Sequence, residues 1–124
     1  MKPTVLLFNI PAKKQGVVRV LAARLHLRVL SVAPESFGTS LEMLLQGEHG
    51  NAPTETFDEE MLVMAGLSGG VMDLLLKGLR QQRAVVSLKA ILTETNAQWS
   101  AVELYRELCR EREAFASRET VHSK

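Results

Sequence analysis

Short apolar runs alternate along this chain with segments whose apolar residues recur every three to four positions, and no other feature constrains the fold as tightly. The runs are Thr4 to Asn9, Leu27 to Val32, Met61 to Ala65 and, less sharply bounded, Val85 to Thr93. The first and third are apolar on consecutive residues, which suits strands covered on both faces. Between the runs, Val17, Leu21 and Leu25 make one helical face with Val18 and Ala22 beside them. Val71, Leu74, Leu75 and Leu79 make a second, and Ala101, Leu104, Tyr105, Leu108, Cys109 and Phe115 a third. A strand, a crossover helix and a second strand form a unit whose strands pair in parallel. The chain is therefore expected to be α/β: a single domain over residues 1–116, with a mostly parallel four-stranded sheet in the order 2-1-3-4 and helices on both faces. After Ala116 the periodicity stops, so residues 117–124 are expected to be a disordered tail.

Local signals mark where the helices begin. Thr39-Ser40-Leu41-Glu42 matches a capping box for a short helix that Gly47, Gly50 and Pro53 must end. The stretch Gly47 to Thr56 then reads as an exposed loop, the candidate flap. Ser68 is placed to cap the helix carrying Val71 to Leu79. Ser100-Ala101-Val102-Glu103 is a second capping box, with Trp99 positioned to staple onto Leu104. Lys89 reads as a charge that blunts an edge strand, or snorkels beside one, rather than as a catalytic amine.

The 124 residues are 46% hydrophobic and 23% charged, the composition of an ordinary globular chain. No apolar run approaches the roughly 20 residues of a membrane span, and Val5 to Phe8 is too short for the core of a signal peptide. The single cysteine, Cys109, cannot form an internal disulfide and falls on an apolar helix face, so a reduced, cytoplasmic setting is expected. A net charge of +1 hides a segregation: residues 1–34 hold six basic and no acidic side chains, residues 35–60 seven acidic and no basic ones. Without interleaved aromatics the basic segment argues against nucleic-acid binding. It is expected to meet the acidic segment, within one chain or across the axis of a homodimer. The wide apolar face of the Val71 to Leu79 helix and the methionine-rich third strand add to the expectation of a homodimer.

A parallel sheet would gather at one end Asn9 and Pro11, Pro34, the turn Gly66 to Gly70, and Thr93 to Asn96. The candidate ligand-binding residues are accordingly Asn9, Ser68, Gly69, Gly70, Thr93, Glu94, Thr95, Asn96 and Trp99. The glycine turn lacks dinucleotide spacing and the lysine of a P-loop, so no cofactor is expected. His26, His49 and His122 show no metal-ligand spacing, and no metal is expected. Nor does any nucleophile stand beside a base. The first reading is thus a non-enzymatic ligand-binding or regulatory module; the rival is a small enzyme using Glu94 as its acid–base group.

Leu88 to Asn96 together with Trp99, after the helix Ser68 to Leu79, resembles a family of small bacterial proteins and domains of unknown function. That resemblance, extended over nearly the whole chain, implies a cytoplasmic α/β domain of about this length and supplies no activity, substrate or catalytic residue.

Overall fold

The structure is a computed structural model that describes residues 2–122, with residues 118–122 described by backbone alone. In chain order it comprises β1 (Thr4–Phe8), α1 (Ala12–Arg24), β2 (Arg28–Val32), α2 (Leu41–Leu45), β3 (Met61–Ala65), α3 (Gly69–Gln81), β4 (Leu88–Ile91) and α4 (Ala101–His122), with 3-10 turns at Pro34–Ser36 and Asn96–Gln98. β1 and β3 are buried along their whole length. Their alternate side chains feed two separate cores. Leu6, Phe8, Met61, Val63 and Leu88 face α2 and α4, whereas Val5, Leu7, Leu62 and Met64 face α1 and α3. α1 and α3 lie side by side, and Gly78 permits this: a Cβ there would stand 2.8 Å from a Leu21 methyl.

The strand order is β2-β1-β3-β4, as the sequence leads one to expect, but the sheet is mixed and not mostly parallel. β1 and β2 are parallel, as are β3 and β4, while β1 and β3 run antiparallel with Phe8 opposite Met61 and Thr4 opposite Ala65. The cause lies in the connection from β2 to β3. A parallel β3 would need that connection to travel back along the sheet. Hydrogen bonds hold the connection at one end instead: Ser36 and Gly38 bind Gly50 and Asn51, and Asn9, just past β1, binds the carbonyls of Phe57 and Glu59 immediately before β3. The chain thus re-enters the sheet at the end where it left. The carboxyl ends of β1 and β2 consequently lie at one end of the sheet and those of β3 and β4 at the other. The gathering of Asn9, Pro11 and Pro34 with Gly66 to Gly70 and Thr93 to Asn96 does not occur, nor does the crevice that parallel strands would have opened between β1 and β3.

The connection is firmly held. Ser40, one residue later than the box reading placed it, caps α2 by accepting the Met43 N–H. Thr39 is instead buried and accepts the Asn51 N–H at 3.3 Å. Ser36 accepts the Gly50 N–H at 3.0 Å, and the Gly38 N–H donates to the Asn51 carbonyl at 2.8 Å. A Cβ on Gly38 would lie 2.5 Å from that carbonyl oxygen, so only glycine permits the approach. The stretch expected to be a flap is tied down by these three bonds. Phe57 then stacks between Phe37 and Tyr105, at 4.9 and 4.3 Å, fixing the connection to α4.

Among the described residues the basic and acidic segments meet within the chain in one ion pair, and the acidic segment otherwise pairs with α4. Lys14 pairs with Glu60 at 2.7 Å, while Glu55 pairs with Arg106 and Glu59 with Arg112. The β3 methionines and half of the α3 stripe are covered intramolecularly: Met61, Met64, Leu75 and Leu79 are buried, Val71 is half-buried and Leu74 remains exposed. β4 is shorter than the apolar run that announced it. α4 continues past Ala116 to His122, because a helix once nucleated propagates through its own hydrogen bonds beyond its last buried residue. Residues 123–124 of the expected tail lie outside the described residues. Among the described residues, no helix is long and apolar enough to cross a membrane.

Candidate functional site

The junction from β4 to α4 is organised by one side chain. Asn96 is buried, its Nδ2 donates to the Ile91 carbonyl at 3.0 Å, and its Oδ1 accepts the Thr93 N–H at 2.8 Å. The Thr93 hydroxyl in turn accepts the Asn96 N–H at 3.1 Å. β4 is an edge strand. Leu88 and Leu92 donate inward to β3, which leaves the groups of Ile91 and Thr93 pointing away from the sheet. In a parallel pair, one residue donates to the carbonyl before its neighbour and accepts from the N–H after it. The Asn96 amide does this around Leu92. It therefore occupies the place of an additional strand.

From there the chain turns into α4. The Trp99 N–H donates to the Asn96 carbonyl at 3.0 Å, and its own carbonyl accepts the Leu41 N–H at 2.9 Å, tying the junction to α2. Ser100 and Glu103 form the reciprocal box read from the sequence, with bonds of 3.1 and 3.2 Å. Trp99 and Leu104 both join the apolar core on this side of the sheet.

A groove of about 550 Å³ opens between the β4 edge and α4. Met64, Leu76, Ile91, Trp99, Leu104 and Leu108 form its apolar wall, and Lys89, Thr93, Thr95, Asn96, Glu107 and Glu111 its polar margin. Lys89 is exposed and its Nζ donates to the Val86 carbonyl at 2.9 Å. The groove brings together Thr93, Thr95, Asn96 and Trp99 of the residues proposed from sequence. Glu94 is exposed and is not part of this groove's lining, so the groove does not present the acid–base group of the rival reading. Ser68 caps α3 by accepting the Val71 N–H at 3.2 Å, and Gly69 and Gly70 form the exposed first turn of that helix, also outside the groove. Asn9 stands at the opposite end of the sheet, where its amide donates to the carbonyls of Phe57 and Glu59 at 2.8 and 3.2 Å. It anchors the β2–β3 connection.

The residues sequence reasoning missed in the groove are Met64, Leu76, Lys89, Ala90, Ile91, Leu104, Glu107, Leu108 and Glu111. A signal existed for α4, where Leu104, Glu107, Leu108 and Glu111 share one stripe at helical spacing. None existed for Met64 and Leu76, which reach the groove only because β4 is the edge. Cys109 is half-buried rather than sealed in the core, 3.6 Å from the Arg112 guanidinium. Among the described residues no cluster of His, Cys, Asp or Glu is placed to hold a metal ion.

Residues 60–115 match the family model of DUF3783, a domain of unknown function. The likeness to an uncharacterised family is thus found, over β3, α3, β4 and much of α4 instead of nearly the whole chain. The matched segment contains the whole lining of the groove. No curated protein matches the chain.

Proposed function

We propose that the chain is a non-enzymatic binding module whose β4–α4 groove receives an apolar or amphipathic small molecule. One observation carries this reading: the groove's most specific polar groups, the Asn96 amide and the Thr93 hydroxyl, are committed to hydrogen bonds that hold the junction together. A ligand would therefore meet the apolar wall first, with Lys89, Glu107 and Glu111 able to orient a polar end. A cytoplasmic setting fits the single free thiol of Cys109.

Trp99 is the chain's single tryptophan and stands in the wall, so its emission reports on this groove and on the adjoining α4 surface of Glu103 and Arg106, and the Leu108→Lys variant assigns a shift to the groove. Titration with a panel of small apolar acids, nucleotides and flavins is expected to yield a compound that shifts Trp99 emission. At a hundredfold excess over its dissociation constant, that compound adds about 2.7 kcal/mol of stability. Leu108→Lys, which puts a charge on the wall, is expected to abolish the shift. A panel that moves neither the emission nor the melting temperature would contradict the proposal.

A further inference from the structure

β2 forms the other edge of the sheet, and its backbone bonds inward through alternate residues. The Arg28 N–H donates to the Pro3 carbonyl at 2.9 Å, and the parallel register sets Thr4 against Arg28 and Phe8 against Val32. Alternation along the strand then turns the N–H and C=O groups of Val29 and Ser31 outward. Among the described residues no group hydrogen-bonds to them. Nothing blunts this edge as Asn96 and Lys89 blunt the other: Ser31 is small and exposed, and Arg28 is drawn aside, its guanidinium donating to the Leu45 carbonyl at 3.1 Å. Beside the edge lies a groove of about 400 Å³, which half-buried Leu30 and Val32 share with Leu44, Glu35 and Glu48.

We propose that β2 pairs antiparallel with β2 of a second copy of this chain, about a two-fold axis through Leu30, so that two sheets join into one. Three features select a second copy over a foreign strand. Val29 and Ser31 are spaced symmetrically about Leu30, so Val29 faces the partner's Ser31 and Ser31 the partner's Val29. Each such pair exchanges both of its N–H···O=C bonds, and all the outward groups are satisfied at once. Leu30 meets the partner's Leu30 across the axis, on the face where the groove leaves it half-buried. The charges follow the same symmetry. Arg28 lies at the start of the strand and Glu35 and Glu48 beyond its end, and none of the three makes an ion pair within the described residues. Antiparallel pairing turns the basic start of one strand toward the acidic end of the other, and the two-fold axis repeats the contact.

The test is mass by light scattering across a dilution series from millimolar to micromolar, with circular dichroism as the control for folding. The unaltered chain is expected at twice 13.7 kDa when concentrated, and dissociates more readily as salt rises. Ser31→Pro removes the outward N–H and leaves the inward bonds of Leu30 and Val32 in place, so it is expected to be folded and monomeric. Ser31→Lys, at an exposed position that burdens the fold little, is expected to be monomeric too and gives the answer if the proline perturbs folding. A chain of 13.7 kDa at millimolar concentration overturns the proposal, and so does a dimer that persists in either folded variant.

Discussion

At the β4 edge the outward backbone groups of Ile91 and Thr93 are met by a side chain of the same molecule, whereas at the β2 edge those of Val29 and Ser31 meet none among the described residues. Both strands are short, and both flank a central strand that is wholly buried. The difference arises from the segment that each strand leads into. β4 leads into a tight turn that returns Asn96 to the edge, and α4 then lays an apolar wall beside it, producing the groove proposed to bind a ligand. β2 leads into a connection folded over one face of the sheet, which supplies a wall but no group aimed at the edge. A sheet edge closed by its own amide is free to border a binding groove; one left open invites a strand.

The largest effect is expected from opening the closed edge. Asn96→Ala removes both side-chain bonds and leaves the Ile91 carbonyl and the Thr93 N–H without partners, a loss of about 2–3 kcal/mol measurable by urea unfolding. Asn96→Asp keeps the acceptor and loses the donor. It is expected to be comparably unstable at neutral pH and to recover partly on acidification, since only the protonated acid can donate to the Ile91 carbonyl. If both variants match the unaltered chain in stability, the edge is not closed by Asn96.

Next comes the wall beside the open edge. Gly38→Ala forces a Cβ against the Asn51 carbonyl and is expected to cost about 1–3 kcal/mol. Proteolysis should then cut more readily within residues 47–56, and a variant as resistant as the original would show the close approach to be dispensable. Thr93→Val conserves shape and removes only the acceptor for the Asn96 N–H, an expected loss of about 1 kcal/mol.

The smallest effect concerns the link between the two walls. Hydrogen bonding to the Arg112 guanidinium holds the Glu59 carboxyl below the usual carboxylate range, and this pair joins the β2–β3 connection to α4. A carboxyl whose pKa is lowered on folding contributes stability above the unfolded pKa and loses it as the pH falls through the folded one. Glu59→Gln is therefore expected to lower the urea midpoint slightly at neutral pH, with the difference fading below the carboxylate range. A difference that stays constant with pH would mean that the pair's charge contributes nothing.

Much of this was legible in the sequence. The α/β class and the Ser100–Glu103 box follow from periodicity and capping chemistry, which are local, whereas the strand order agrees although the crossovers it was drawn from assumed a parallel β3. The direction of β3 was not legible, because Met61 to Ala65 reads the same either way and its orientation depends on long-range bonds that hold the connection at the end of the sheet where β2 leaves it. Asn9 and the glycines of the α3 start drop out of the groove for that reason. Asn96 was visible as a turn residue, but its bonds to Ile91 and Thr93 require that β4 be an edge, a property of the whole sheet.

Amide hydrogen exchange resolved by residue, at low and high protein concentration, tests the contrast between the edges most directly. The Thr93 N–H is predicted to exchange slowly at both concentrations and to lose that protection in Asn96→Ala, while the Val29 and Ser31 N–H groups exchange freely in dilute solution and become protected as the protein is concentrated. Rapid exchange at Thr93, or exchange at Val29 and Ser31 that ignores concentration, would contradict the account.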